Sequence, residues 1–165
     1  MTRFSKITPC LWFDGRAEEA AALYVSLFED AGIDSVSRFG KEGFEHHGQP
    51  EGSVMTVAFH IEGQSFTALN GGPLFKFSEA ISFQVLCDTQ AEIDRLWAAL
   101  TADGGSEGHC GWLKDRFGLS WQIVPSAMPQ FMKDPDAAKV ARVTRAFLTM
   151  HKLDLAAIER AYHGA

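Results

Sequence analysis

The stretch AISFQVLCDTQAEIDRLWAAL, residues 80–100, joins an apolar strand to an amphipathic helix and decides the fold. Apolar and polar residues alternate over residues 80–87, which is typical of a strand. Thr89-x-x-Glu92 is a capping box, so a helix begins there. The apolar residues of this helix recur at helical spacing, at Ile93, Leu96, Trp97 and Leu100. Gly104-Gly105 ends the helix, and three short strands are predicted to follow before Pro125.

The same order of elements precedes this stretch. The earlier half is predicted to hold a strand, a helix and three strands, over residues 7–13, 16–30, 35–40, 53–61 and 64–70. A strand–helix–three-strand unit therefore occurs twice, over residues 7–70 and 80–125. Because neither unit can bury both faces of its sheet alone, we expect the two to pair. The predicted fold class is α+β, with two paired βαβββ modules in a domain over residues 1–130.

Residues 131–165 carry only helical signals. Asp134-Pro135 predicts an N-cap followed by proline at the first helical position. Asp154 predicts the start of a second, shorter helix. We expect this C-terminal helical tail to pack on the domain or on a dimer partner.

The charge and cysteine content exclude several classes of protein. The chain of 165 residues has 15 Lys and Arg against 21 Asp and Glu, a net charge of −6. A negative chain is unsuited to nucleic acid or to an anionic membrane, and no apolar run approaches the roughly 20 residues of a membrane-spanning helix. No signal peptide is evident, so we expect a cytoplasmic protein. Three cysteines without a Cys-x-x-Cys pair fit reduced thiols.

Several segments resemble one protein family. ITPCLWFDG, residues 7–15, is one of them, and CGWLKDRFGLSWQIVP, residues 110–125, is the most specific. MHKLD, residues 150–154, matches as well. Together they resemble the PhnB-like proteins of the glyoxalase/bleomycin-resistance/dioxygenase superfamily, which has the vicinal oxygen chelate fold. The resemblance implies two βαβββ modules, each giving a curved sheet, and a homodimer.

Metal enzymes of this superfamily take His, Glu or Gln ligands from the first and last strand of each module. The corresponding strands here offer Thr8, Cys10, Ala68, Asn70, Ala80, Ser82, Gln84 and Gln122. Only Gln122 stands where a Glu ligand would fall, and none of these strands supplies His or Glu. We therefore expect no metal of the superfamily type and no cofactor.

The family is often labelled 3-demethylubiquinone 3-methyltransferase, and the residues do not favour that activity. A nucleotide-like methyl donor is typically held by a Gly-rich turn between a strand and a helix. Here Gly71-Gly72-Pro73 precedes an irregular aromatic stretch, and Gly104-Gly105 follows a helix.

Aromatic residues on strands that curve around one cavity suit an apolar or aromatic ligand, although core packing is the alternative for each of them. The predicted ligand cavity comprises Trp12, Asn70, Phe75, Phe77, Cys110, Trp112, Asp115, Trp121 and Gln122. Within it, Asn70 and Gln122 would orient the ligand. Asp115 is a turn residue or a general base, with the turn favoured. Cys110 is structural or, beside a cation, reactive.

The sequence thus predicts a protein that binds a small organic molecule in a cavity between curved sheets, with no reaction assigned. The alternatives are a metal-dependent lyase or dioxygenase of the glyoxalase type, a methyltransferase as in the family label, and a non-catalytic drug-binding resistance protein. His46-His47, in a polar loop, is either solvated or part of a mobile lid. We expect no nucleic acid or membrane partner, and we expect a homodimer.

Overall fold

The computed structural model describes residues 6–165, and the chain divides into two compact units. The first unit ends at Lys76 and the second begins at Phe77. Each unit contains one four-stranded sheet with a helix packed on one face.

The first unit has the predicted order of elements. Its bounds are β1 Cys10–Phe13, α1 Ala17–Ser26, β2 Ala31–Arg38, α2 Phe44–His47, β3 Val54–Ile61 and β4 Gln64–Asn70. The strands lie in the order β1-β4-β3-β2, with β1 parallel to β4 and the other pairs antiparallel. The single-turn helix α2 lies in the segment that the sequence predicts as a polar loop.

Helix α1 covers one face of the first sheet. Its buried side chains are Ala17, Ala20, Ala21 and Tyr24. Leu11 and Phe13 of β1 are also buried, and they pair in register with the buried Ala68 and Asn70 of β4. Because side chains alternate along a strand, Cys10 and Trp12 lie on the face opposite α1.

The second unit repeats this arrangement and adds three helices. Its bounds are β5 Ser82–Cys87, α3 Gln90–Thr101, β6 Ser106–Glu107, β7 Trp112–Lys114, β8 Ser120–Pro125, α4 Met128–Phe131, α5 Ala137–Phe147 and α6 Leu155–His163. The strands lie in the order β5-β8-β7-β6, again with the first and last strands parallel. Both units therefore have the same topology.

Helix α3 forms as its sequence predicts. Thr89 caps it by accepting a hydrogen bond from the backbone N–H of Glu92 at 3.2 Å, and the Glu92 carboxylate accepts one from the backbone N–H of Asp88 at 2.9 Å. The predicted apolar face is fully buried, with Ile93, Leu96, Trp97 and Leu100 at 0–4% exposure. This face covers one side of the second sheet.

The C-terminal helices correct one detail of the sequence prediction. Asp136, and not Asp134, caps α5, because its side chain accepts a hydrogen bond from the backbone N–H of Ala138 at 2.9 Å. Asp134 instead accepts from the backbone N–H of Asp136 and forms a turn that leads into the helix. Asp154 caps α6 as predicted.

The C-terminal helices pack on the second unit. Their buried cluster is Met128, Val143, Leu153 and Ile158, and Val124 of β8 packs against it. The side chain of Gln90, at the start of α3, donates to the carbonyl of Leu153 and accepts from the backbone N–H of Leu155. Across residues 6–165, no helix has both the length and the apolar character that crossing a bilayer requires.

Candidate functional site

Three neutral polar side chains meet on the second sheet, on the face opposite α3. Ser82 and Gln84 of β5 pair in register with Ser120 and Gln122 of β8, which places all four on one face. The Gln122 amide Nε2 donates to Ser82 Oγ at 2.8 Å, and Gln84 Nε2 donates to Gln122 Oε1 at 3.2 Å. We call this surface, with the adjacent Trp112 and Lys114, the Gln122 face.

Trp112 borders these three side chains. It pairs in register with Gln122 across β7 and β8, so the two side chains share a face, and Trp112 is half-buried. Next to it is a depression of about 240 Å³. This depression is lined by Glu79, Ser106, Glu107, Gly108, Trp112, Leu113, Lys114 and Ser120. The Gln122 face therefore combines an aromatic side chain, neutral hydrogen-bonding groups and a concave region.

A cation and a buried hydroxyl lie at this depression. Lys114 Nζ forms an ion pair with Glu79 Oε1 at 2.5 Å, and this hydrogen bond is the main reason why the pKa of Glu79 lies below its usual value. Ser120 pairs in register with Lys114 and is fully buried. Its hydroxyl has no hydrogen-bond partner among the residues that the structure describes.

Asp115 and Trp121 lie elsewhere, in the core of the second unit. The Asp115 carboxylate accepts hydrogen bonds from the backbone N–H groups of Phe117 and Leu119, and from the indole N–H of Trp121 at 2.9 Å. Asp115 and Trp121 are only 2–3% exposed. The carboxylate therefore holds the β7–β8 turn and anchors an aromatic core residue, and we do not include either side chain in the proposed site.

Trp12 and Phe75 contact each other in the first unit. Their ring centroids are 4.9 Å apart in an edge-to-face arrangement, and the Trp12 indole N–H donates to the carbonyl of Gly72 at 2.9 Å. A Cβ at Gly71 would lie 2.3 Å from the Trp12 ring, so only glycine lets the loop pass this close. The loop after β4 thus packs over Trp12 on the face opposite α1.

Asn70 has a structural position on the other face of the first sheet. Its Oδ1 accepts from the backbone N–H of Ala17 at 2.9 Å, and its Nδ2 donates to the carbonyl of Val54 at 3.0 Å. Arg16 occupies the N-cap position of α1 without a side-chain cap, so Asn70 caps this helix from a neighbouring strand. Both the oxygen and the nitrogen of the Asn70 amide are therefore hydrogen-bonded within the protein.

Cys110 and Phe77, both from the predicted cavity, lie in the second unit. Cys110 has a positive φ of 56°, and its backbone N–H donates to the carbonyl of Met150. Its thiol lies 3.9 Å from the carbonyl oxygen of Leu148. Phe77 is half-buried at the start of the second unit.

The histidines contact other groups of their own units. His46 and His47 form part of α2, where the His47 ring packs on Phe39 with centroids 4.6 Å apart. His60 Nδ1 contacts the Asp34 carboxylate at 2.8 Å. His109 and His151 stack with ring centroids 4.4 Å apart.

The donor set does not fit the metal site of the superfamily. Over residues 6–165, no three His, Cys, Asp or Glu side chains come close enough to hold a metal ion. On the Gln122 face the strand positions carry a hydroxyl and two carboxamides. In the first unit the equivalent face carries Cys10 and Thr67, a register pair. Divalent transition metals favour imidazole, thiolate and carboxylate ligands, and among these strand positions only Cys10 offers one such group.

Sequence reasoning identified Trp112 and Gln122 but missed what surrounds them. In the sequence, Ser82 and Gln84 count only as strand positions without a His or Glu metal ligand, although the pattern Ser-x-Gln occurs in both β5 and β8, at residues 82–84 and 120–122. That repeated pattern is the signal that would have placed them together. Lys114 and Glu79 are far apart in sequence, and only the fold brings them to one depression.

Two βαβββ units with the strand order first–fourth–third–second define the class of this protein as the glyoxalase, or vicinal oxygen chelate, fold. A family model described as 3-demethylubiquinone-9 3-methyltransferase matches residues 5–124. The chain therefore belongs to this family of PhnB-like proteins.

Solved structures agree with this assignment. A putative 3-demethylubiquinone-9 3-methyltransferase, PhnB protein, from Bacillus cereus is 34% identical with a TM-score of 0.65, over 73% of this chain and 99% of that one. A protein from Pseudomonas aeruginosa is 22% identical with a TM-score of 0.57, over 74% and 98% of the two chains. The fosfomycin resistance protein FosX from Listeria monocytogenes, complexed with Mn(II) and sulfate, is 12% identical with a TM-score of 0.50, over 78% and 95%. The last two show the fold alone. No curated protein matches the sequence.

Proposed function

We propose that this protein binds a small organic molecule, apolar or aromatic, on the Gln122 face of the second sheet. The observation that carries the proposal is the convergence of Ser82, Gln84 and Gln122 beside Trp112. A carboxamide offers two N–H donors and an oxygen with two lone pairs. The contacts among these side chains use one donor of each glutamine and one lone pair of Gln122, which leaves donors and acceptors for a ligand.

The chemistry of this surface favours recognition. The two carboxamides and the hydroxyl can fix the orientation of a polar group on the ligand, and the Trp112 indole can cover its apolar body. Neutral amides are poor nucleophiles and poor bases at neutral pH. The geometry thus supports binding, and no reaction is assigned to it.

No observation on these residues favours the other candidate activities. Glyoxalase-type chemistry needs metal ligands that the strand positions do not provide. For methyl transfer, the two strand-to-helix connections, residues 14–16 and 88–89, lack the Gly-rich turn expected of a nucleotide-like donor site. Only the description of the family model names methyl transfer.

We also propose that the protein is cytoplasmic and homodimeric. Cys10, Cys87 and Cys110 are free thiols, which suits a reducing compartment. The dimer rests on the resemblance to the family. Sedimentation equilibrium of the full chain tests it, because the mass of one chain at micromolar concentration would contradict a stable dimer.

A neutral aromatic amide tests the ligand site. Benzamide titrated into the full chain should bind weakly, and Gln122→Ala should weaken that binding about two- to tenfold, the range for losing one hydrogen bond. The matched control is Gln64→Ala, on an exposed position of the first unit. Unchanged affinity in Gln122→Ala, or no binding of benzamide at all, would count against the proposal.

A further inference from the structure

We propose that the ligand of the Gln122 face is an organic carboxylate held by Lys114 and Ser120, and that Glu79 occupies the carboxylate position in the ligand-free protein. This inference rests on the proposed function and adds the charge of the ligand to it. It also assigns a role to an ion pair that the fold does not otherwise need.

The fixed part of the site consists of two donors on neighbouring strands. Lys114 of β7 and Ser120 of β8 pair in register, so their side chains share a face and their separation is set by the sheet. Ser120 is fully buried, and its hydroxyl has no partner within residues 6–165. A buried hydroxyl without a hydrogen bond is unfavourable, and a ligand oxygen at this depression would satisfy it.

The third participant, Glu79, is displaceable. It lies in the connection between β4 and β5, and its side chain is 62% exposed. Its carboxylate lies 2.5 Å from Lys114 Nζ, so the site already binds a carboxylate of the protein itself. Exposed ion pairs contribute little to stability, and a ligand carboxylate can therefore replace Glu79 at small cost.

Glu107 also lines the depression. Glu107 Oε1 accepts a hydrogen bond from the Trp97 indole N–H at 2.7 Å, which ties this side chain to α3. Its register partner is Leu113, so its side chain lies on the α3 face, and Glu79 is the carboxylate for which an organic amine could instead compete. We favour the carboxylate because both strand-borne groups, an ammonium and a hydroxyl, donate hydrogen bonds, whereas the group that would hold an amine is on the exposed connection.

Calorimetric titration of the full chain with benzoate, benzamide and benzylamine tests the inference. Glu79→Gln should raise the affinity for benzoate about two- to fivefold, since it removes the competing carboxylate of an exposed ion pair. Lys114→Gln should lower benzoate affinity about tenfold, and Ser120→Ala two- to tenfold. The affinity for benzamide should rise less in Glu79→Gln than the affinity for benzoate does, because benzamide carries no charge. Glu18→Gln, an exposed substitution in the first unit, is the matched control.

The outcomes separate this inference from the proposed function. Weaker benzoate binding in Glu79→Gln, or tighter binding of benzylamine than of benzoate by the unmodified protein, overturns the carboxylate assignment. If benzamide binds and benzoate shows no dependence on Glu79 or Lys114, the inference is wrong and the proposed function stands. If none of the three probes binds, both are wrong. Glu79→Gln is a substitution at an exposed position, so it keeps the test valid even if Lys114→Gln does not fold.

Discussion

Asp115 shows how one buried carboxylate organises the β7–β8 turn. It accepts two backbone hydrogen bonds and one from the Trp121 indole, and all three donors lie in the same unit. Carboxylates followed by glycine are common in turns, and this one also reaches into the core. Its burial therefore has a structural explanation that needs no ligand.

Asp115→Ala should lower the free energy of unfolding by about 3 kcal/mol or more, because it leaves several buried donors without an acceptor. Urea unfolding of the purified chain measures this. Asp103→Asn removes an ion pair with Arg116 from a side chain that is 70% exposed and keeps a residue type that tolerates the positive φ of this position, so it should cost less than about 1 kcal/mol. Equal losses in the two variants would contradict the structural role of Asp115.

The predicted site residues show what a sequence can and cannot place. Aromatic character on strands selects Trp112, and the family motif selects Gln122. The same criteria also selected Trp121, which is buried against Phe83 with ring centroids 5.5 Å apart. Neighbouring strand residues point to opposite faces, so Trp121 and Gln122 cannot share one. The residue types in a strand do not reveal whether its odd-numbered or its even-numbered side chains face the helix.

Among the elements, helix α1 depends on a residue far away in sequence. Its own N-cap residue, Arg16, makes no side-chain capping hydrogen bond, and Asn70 of β4 supplies the missing acceptor to the N–H of Ala17. The sequence shows the helix through its apolar spacing but contains no local capping signal. A tertiary contact over 53 positions replaces that signal.

Asn70→Leu should lower the free energy of unfolding by about 2–4 kcal/mol, because a buried N–H and a buried carbonyl both lose their partner. The control is Asn70→Asp, which keeps an acceptor for Ala17 and should lose less. Thermal unfolding followed by circular dichroism compares the two. A Leu variant as stable as the unmodified protein would show that Asn70 does not cap α1.

The C-terminal helices are joined by a short hydrogen bond from the Tyr162 hydroxyl to Asp134, with the Tyr162 ring stacked on Phe131. This bond holds the pKa of Asp134 below its usual value and raises that of Tyr162. A lowered carboxyl pKa gives stability that is present above about pH 4 and lost as the pH falls through the folded value. A raised phenol pKa gives stability that is present below about pH 10 and lost above it.

Tyr162→Phe and Asp134→Asn should therefore both lower the melting temperature at neutral pH. For each variant, the difference from the unmodified protein should begin to shrink as the pH falls below about 4, and it should be lost as Asp134 of the folded protein takes up its proton at lower pH. Melting curves between pH 3 and pH 8 measure this, with Asp14→Asn, at an exposed turn position, as control. A stability difference that is constant across this range would argue against the pairing.

For the whole molecule, the repeat of strand, helix and three strands was predictable because each element has a local signal. The capping box Thr89-x-x-Glu92, the helix predicted within residues 16–30 and the strand pair predicted at residues 53–61 and 64–70 all appear in the structure. The short α4 and the start of α5 at Asp136 were not predicted, since Asp134-Pro135 offers an equally good local cap. The sequence could not predict how β5, β7 and β8 pair, and this strand pairing brings the side chains of the Gln122 face together.

Cys87 reports on the integrity of the second unit. Its thiol is fully buried, and burial raises the pKa of Cys87 to about 12. Because the thiolate is the reactive species, iodoacetamide at pH 8 should modify exposed Cys10 well before Cys87. Peptide mapping by mass spectrometry measures both. Modification of Cys87 at the same rate as Cys10 in the folded protein would contradict the burial of this strand.

The central claim is that the Gln122 face binds a small organic molecule, and the side-chain amide resonances of the glutamines test it most directly. In ¹⁵N-labelled protein titrated with benzamide, the account predicts saturable shifts of the Gln84 and Gln122 amide signals. The signals of Gln64, in the first unit, and of Gln130, in α4, should stay in place. Shifts confined to other glutamines, with Gln84 and Gln122 unmoved at saturation, would contradict it.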